Sequence, residues 1–292
     1  MISIIIPTFN NLDYLKLAIE SIQKNSKIPN EIILHINEGS DGTLDYIKKN
    51  NYKFSYSKIN DGICVGCNKA ASISIYDLIL YAHDDMYFCP NWDQYLIEEV
   101  NKLNTKLFYF SGTMINGDPK LNGHLNFIAG ETTNTFDEKK LLNNYMNLAC
   151  DDFQGSTWAP HLIHKEVWNK VGGFSVEFSP GTGSDPDLNM KLWKLGVRIF
   201  KGVSKSRVYH FGSVVTRQKE KNFFSITDTG NKGNKIFLKK WGISIRFFKK
   251  HYLRSDTKYE GQLSEPKKNI DYFIDLIKVK LTYLYILFFH KI

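Results

Sequence analysis

Leu78–Trp92 reads LILYAHDDMYFCPNW. An apolar run of strand length, Leu78 to Ala82, ends abruptly in His83-Asp84-Asp85, so two carboxylates stand where a buried strand leaves its sheet. In open α/β sheets that edge, at the carboxyl ends of the strands, is where ligands bind. Adjacent carboxylates repel unless a cation neutralises them. Hard oxygen ligands favour Mg²⁺ or Mn²⁺, ions that commonly arrive with a substrate's phosphates, so the pair points to a nucleotide diphosphate. From these residues alone, a solvated acidic turn capping the next helix reads equally well.

Outward from this stretch, the chain alternates strands and helices. Ile2–Ile6 is a continuous apolar run stopped by Pro7, as expected of a parallel strand covered on both faces. Leu12, Leu15, Ile19 and Ile22 recur at helical spacing, with Asn10 or Asn11 as N-cap, predicting a helix to about Asn25. Glu31–Ile36 reads as a second strand, followed by a polar loop, Asn37 to Thr43, and a helix over Leu44–Lys49. Phe54–Ile59 reads as a third strand, with a helix near Asn68–Ile75 before the fourth strand at Leu78. Such alternation predicts a mostly parallel sheet with right-handed crossovers. From Asn91 to about Ser206 the pattern is less regular: helices are expected at Trp92–Leu103, Val167–Gly172 and Leu188–Leu195, and strands at Leu107–Ser111 and Val208–Phe211. Asn116–Leu148 is polar and without period, the kind of segment that supplies acceptor-binding loops.

A chain of 292 residues with 42% hydrophobic and 14% aromatic content can bury a sizeable core and is not disordered. The start, MISIIIPTFNN, has no basic n-region and its apolar run breaks at Pro7, so no signal peptide is expected there. Four cysteines suggest no disulfide framework, which makes a reducing cytoplasm the expected location. The net charge of +8 is unevenly placed. Residues 1–213 carry 21 Lys and Arg against 23 Asp and Glu, whereas residues 214–292 carry 17 against 7. The basic character therefore belongs to the C-terminal part, where it can meet an anionic membrane, a nucleic acid or an acidic acceptor.

Taken in order, these segments resemble the family-2 glycosyltransferases, whose catalytic domain has the glycosyltransferase-A fold. IIIPTFNNLDYLKLAIESI is similar to that family's first strand and helix, NEGSDGT to its second-strand loop, and NDGICVGCNKA to its third-strand and helix signature. HDD takes the place of its aspartate-x-aspartate motif, GGFSVEFSPGTGSDPDLNMKLWKLG resembles its acceptor-side motif, and VYHFGS its late histidine segment. The resemblance covers residues 1–215. It implies a nucleotide-sugar-binding and catalytic domain there, followed by a basic, largely helical extension over 216–292.

The resemblance also assigns roles. Asp41 would meet the nucleotide base, although an Asx-turn at Asp41-Gly42 accounts for it equally. Pro7, Thr8, Asn10, Glu38, Asn60, Asn68 and Asp84 would line the nucleotide sugar, with Asp84 touching ribose. Asp85 matches the metal ligand, and His210 a contact to the metal or diphosphate; Mn²⁺ or Mg²⁺ is the implied cofactor. Asp185 matches the aspartate that removes the acceptor hydroxyl's proton, and it stands at a helix start where that proton can be reached. Asp187 is its first-turn neighbour on the acceptor side, and Trp158 is the expected sugar-stacking residue. Three positions depart from the usual pattern: Cys67 stands where many relatives have arginine, His83 where the motif often has its first aspartate, and Ser184 where glutamate is usual. His83 is expected in the core or behind the ligands, and His161 and His164 in the acceptor wall. Cys64-Val65-Gly66-Cys67 has redox or zinc spacing, but no second pair follows it.

Near the C-terminus Ile270, Phe273, Ile274, Ile277, Leu281, Leu284 and Phe288 form a stripe at helical spacing, flanked by Lys278 and Lys280. Its apolar stretch is short of the ~20 residues needed to span a bilayer. Peripheral membrane attachment, packing on the catalytic domain and oligomerisation all fit such a helix. The reading as a whole is an inverting, metal-dependent glycosyltransferase moving a sugar from a nucleotide diphosphate to a glycan or lipid-linked acceptor, in surface polysaccharide synthesis. A sugar- or nucleotide-binding protein of the same fold without turnover is the alternative. No nucleic-acid-binding module is recognised, and Pro-Thr-Phe-Asn after the first strand disfavours a dinucleotide oxidoreductase.

Overall fold

The computed structural model describes residues 1–117, 124–212, 226–255 and 257–289, the side chains of 226–231 and 287–289 excepted. Ser213 of the late histidine segment, the first residues of the basic extension and the side chain of Phe288 therefore lie outside the described residues.

The α/β class expected from the alternation holds. Strands β1 (Ile2–Phe9), β2 (Asn30–Asn37), β3 (Lys53–Ser57) and β4 (Leu78–Tyr81) alternate with helices α1 (Leu12–Asn25), α2 (Thr43–Lys49) and α3 (Gly62–Ser72). They form a parallel block in the order β3-β2-β1-β4. Ile2 to Thr8 of β1 are buried, and Leu15, Ala18, Ile19 and Ile22 turn the inner face of α1 onto the sheet. Helix α3 starts at Gly62, earlier than the apolar spacing suggested, and lies close to the sheet because Gly66 has no side chain. A Cβ there would stand 2.7 Å from His35 and 3.1 Å from Pro7. Asn11 is the N-cap residue of α1, as expected, but its side chain makes no capping bond. The carboxylate of Asp41, from the neighbouring loop, accepts from the Leu12 N–H at 2.9 Å instead.

Beyond β4 the sheet becomes mixed. Strand β5 (Met86–Phe88), helix α4 (Trp92–Asn101), β6 (Phe108–Asn116), β7 (His124–Asn126), α5 (Glu138–Asn144), β8 (Phe153–Gln154), β9 (His161–His164), α6 (Lys165–Val171), α7 (Ser184–Leu195) and β10 (Ile199–His210) follow. Strand β9 is antiparallel to β4 and β6, and β10 runs parallel to β6 and antiparallel to β5. The segment after Asn116 that carried no period folds around a second apolar cluster of Leu125, Ala129 and Leu141 against Tyr87, Tyr209 and Phe211.

The boundary expected near residue 215 does not separate two cores. Phe237 of helix α8 (Ile226–Trp241), with Phe248, Leu253 and Leu263, is buried in the same cluster as β1 and β4. Backbone bonds from Gln154 N–H to Thr257 O (2.8 Å) and from Leu263 N–H to Arg198 O (2.8 Å) tie the extension to the preceding domain. Helix α9 (Ile270–Phe289) packs on α8 through Tyr272, Val279 and Ile286 against Leu238 and Phe247.

Candidate active site

The edge where β4 ends is assembled by strand register. Met86 pairs with His210 across β5 and β10, so Asp85, one residue earlier, falls beside the His210 ring. The Phe211 N–H donates to the Asp85 carbonyl at 3.1 Å and fixes that approach. His210 Nε2 lies 3.2 Å from Asp85 Oδ1, His83 Nδ1 lies 3.9 Å from the same oxygen, and the two imidazoles are 3.4 Å apart. Ligand atoms from His83, Asp85 and His210 all lie within 4.8 Å of one another. The expected pair of Asp85 and His210 is thus joined by His83, which does not sit in the core as expected. Burial, reinforced by His210, lowers the His83 imidazole to about 4, so it is neutral at physiological pH with a lone pair to offer.

Asp84 is held by the Thr8 hydroxyl, which donates to Oδ2 at 2.7 Å. Burial and the adjacent charge of Asp85 raise its carboxyl to about 7. The β1 and β2 loops are tied together above it. The Asn10 amide donates to Ser40 Oγ (3.0 Å) and Glu38 Oε2 (3.3 Å), and its Oδ1 accepts from the Ser40 N–H (2.9 Å). Asn10 and Glu38 both take left-handed backbone conformations, φ 45° and 59°, which turn the two loops toward one another. Asp41 forms the Asx-turn, accepting from the Thr43 N–H at 3.1 Å, and stays exposed beside this pair.

Other expected contacts are spent on structure. The Asn68 amide donates to Phe174 O (2.8 Å) and accepts from Phe174 N–H (2.9 Å), which locks α3 to the segment before α7. Asn60 Oδ1 accepts from the Gly62 N–H at 3.0 Å and starts α3, although its side chain remains exposed. Pro7 is buried under Gly66. Cys64 and Cys67 are buried free thiols, so position 67 itself supplies no cation.

Asp185 stands in the first turn of α7, after Gly183 in the left-handed conformation, φ 85°. Its Oδ1 is buried without a hydrogen-bond partner, while the side chain as a whole is 28% exposed. Burial raises its carboxyl from 3.8 to about 7. His161 Nε2 is the nearest imidazole nitrogen to that oxygen, at 3.9 Å. His161 is fully enclosed, stacked on Tyr109 and edge-on to Tyr81, and burial lowers it to about 3. Tyr81 touches both His161 and His83, so two aromatic rings bridge Asp185 to the His83–Asp85–His210 cluster. His161 carried no local motif, and its β9 strand reaches this position only by inserting between β4 and β6.

Asp187 does not face an acceptor. It is fully buried, accepting from Ser175 Oγ (2.6 Å) and Trp241 Nε1 (2.8 Å), with Lys240 Nζ at 3.0 Å. This carboxylate fastens α8 to α7, so the residue expected at the acceptor instead anchors the extension. Asp187→Ala is expected to cost about 2–3 kcal/mol in urea unfolding, because it removes a buried charge from three partners while Lys240 keeps Glu177 and some solvent. Gly233 of α8 abuts the same region: a Cβ there would collide with the Thr182 carbonyl in the loop before Asp185. Trp158 is half-buried, stacked on Phe153 at 5.3 Å and edge-on to His124 at 4.9 Å, so one ring face is already covered.

Comparison with known proteins identifies the family and the fold. The profile of the family described as Glycosyl transferase family 2 matches residues 3–161. The chain is 23% identical over 234 residues to the O-antigen biosynthesis protein RfbC of Myxococcus xanthus, covering 72% of this chain and 17% of that protein. It is 25% identical over 223 residues to the uncharacterized protein y4gI of Sinorhizobium fredii, covering 67% of this chain and 23% of that protein. The chain thus spans about a fifth of the length of these relatives. Among solved structures it is similar to S. aureus TarS in complex with UDP-GlcNAc, with TM-score 0.57, 14% identity, 98% of this chain and 73% of that chain covered.

Proposed function

The chain belongs to glycosyl transferase family 2, and from that premise we propose that it transfers a sugar from a nucleotide diphosphate to an acceptor hydroxyl with inversion, using a divalent cation. The observation that carries this reading is the pairing of a His83–Asp85–His210 cluster at the sheet edge with a carboxylate of raised pKa, Asp185, two rings away. The donor set fits a cation. Two imidazoles and one carboxylate favour Mn²⁺ over Mg²⁺, which prefers oxygen and water. A cation held there would offset the charge of the departing diphosphate.

The chain's own residues do the rest. Thr8 and Asp84, beside the cluster, would face ribose, and the Asn10–Glu38–Ser40 bridge with Asp41 would frame the base. Asp185 would accept the acceptor's hydroxyl proton as that oxygen attacks the anomeric carbon. The bond from that carbon to the diphosphate breaks on the opposite face, so one displacement inverts the centre. Ser184, where a glutamate is usual, is buried and donates to Gly181 O at 2.6 Å; it holds the start of α7 and leaves proton transfer to Asp185.

The test is thermal stability against nucleoside diphosphates and their sugars, with and without Mn²⁺, followed by release of nucleoside diphosphate in the presence of glycan acceptors. UDP-GlcNAc, bound by a solved protein of this fold, is the first donor to try. A Mn²⁺-dependent rise of several degrees with one nucleotide is expected. A rise without any transfer or donor hydrolysis would favour a binding protein, and no rise with any nucleotide would overturn the reading. The similarity to an O-antigen biosynthesis protein supports a surface-polysaccharide acceptor.

A further inference from the structure

We propose that α9 docks the protein on an anionic lipid bilayer, lying in the plane of the headgroups. Helix α9 is apolar on two sides. Its inner side, Tyr272, Val279 and Ile286, is buried against α8. Its outer side, Ile270, Phe273, Ile274, Ile277, Leu281 and Leu284, is exposed, with Ile277 at 60% and Leu281 at 63%. A continuous apolar stripe of this kind on a folded surface marks a contact. Among the described residues no helix is long and apolar enough to cross a membrane, so the stripe lies along a surface.

Charge selects the occupant. At 100° per residue, Lys278 and Lys280 project to either side of the stripe, both exposed, with Lys280 Nζ also reaching Gly242 O at 3.1 Å. Long lysine stems beside an apolar face bury their methylenes and carry the ammonium to the headgroups. Lys267 and Lys268, also exposed, add charge at the helix start. The helix's two acids lie on the Lys278 side of the stripe and are offset by lysines: Lys250 Nζ is 2.7 Å from Asp275 and 3.5 Å from Asp271, and Lys278 Nζ reaches Asp275 at 3.8 Å, which leaves Lys280, Lys267 and Lys268 to face anionic headgroups.

The main alternative occupant is a second copy. Ile270, Ile274, Ile277, Leu281 and Leu284 follow the alternating four and three spacing of a coiled-coil seam. In a parallel pair Lys278 would flank Phe273 and Lys280 would flank Tyr285, with no acid to meet either. In the fully overlapping antiparallel pair each lysine would meet its own copy. Neither arrangement brings an opposite charge to Lys280, whereas anionic headgroups do.

The experiment is vesicle flotation of the full chain with phosphatidylcholine alone and with a phosphatidylcholine–phosphatidylglycerol mixture, beside sedimentation velocity. Wild type is expected to float with the mixed vesicles and to release at high salt. Lys280→Gln is expected to weaken partitioning about fivefold on the anionic vesicles. The Ile277→Asp, Leu281→Asp double variant is expected to lose it by at least about tenfold, since it replaces two apolar side chains of the stripe by carboxylates that the anionic surface repels. Both positions are exposed, so unchanged thermal unfolding checks that the variants fold. Wild type that stays unbound with both vesicles would overturn the proposal, as would a dimer that the double variant dissociates in the absence of vesicle binding. Neither outcome bears on transfer activity, so this inference stands or falls apart from the proposed chemistry.

Discussion

Asp185→Asn is expected to lower kcat by about 10²- to 10⁴-fold while leaving donor binding in place, the loss typical of removing a positioned general base. Steady-state kinetics with donor and acceptor varied separately check it. The pH profile carries the sign. With the carboxyl raised to about 7, activity should fall as pH drops below that value, approaching tenfold per pH unit, because only the carboxylate can take the proton. The same burial sets a stability effect of opposite direction. A carboxyl raised from 3.8 to about 7 contributes most below the lower value, and that contribution is lost as pH rises through the higher one. Asp185→Asn cannot ionise, so its Tm should exceed that of wild type at pH 8, and the gap should close towards pH 4. A variant that is both less stable at pH 8 and fully active would remove Asp185 from the mechanism.

Asp85→Ala is expected to abolish the Mn²⁺-dependent part of the nucleotide-induced Tm rise and to lower kcat/KM by about 10²- to 10³-fold. Asp85 supplies the single carboxylate of the cluster, and its Oδ1 is the atom both imidazoles approach. His83→Ala distinguishes a ligand from a bystander. Loss of Mn²⁺ affinity would make His83 a ligand, as its neutral ring at the cluster suggests, and unchanged affinity would return it to a packing role. Asp85→Ala retaining a full Mn²⁺-dependent shift would dissolve the proposed centre.

The two results together measure how well separate readings of one chain combine. Asp85 and Asp185 were both legible as candidates, because each follows an element boundary that sequence pattern marks well: an apolar run that stops, and a glycine-rich loop that opens a helix. Asp187 was legible only as an acid two residues further on. Its side chain points to the opposite side of the first turn, into Ser175, Lys240 and Trp241, and Lys240 and Trp241 belong to a helix some fifty residues away in sequence. Asn68 was drawn to the nucleotide by its place in an ordered motif. Its amide matches both polar groups of the Phe174 backbone, and that pairing across distant segments has no local signature.

Local pattern by itself determined the four alternating strands β1 to β4 and their helices, because buried strands with apolar runs and helices with a single apolar face are decided by short-range periodicity, while their order β3-β2-β1-β4 came from the structure. It also located the acidic edge. Tertiary structure decided the other half. Strand β10 extends over Ile199–His210, starting well before the Val208 expected from sequence, and takes in the charged Lys201 and Arg207. They are tolerated because Lys201 pairs with Glu99 (2.7 Å) and Asp152 (2.8 Å), and Arg207 donates to the carbonyls of Tyr145 and Leu148. Tertiary structure likewise placed His83, His161 and His210 around two carboxylates, and turned the apolar stripe of α9 outward. A helix with two apolar faces buries whichever one meets its neighbour, and the sequence of the helix alone cannot say which. Charge balance and face selection are set by partners distant in the chain, which is why only the folded molecule shows them.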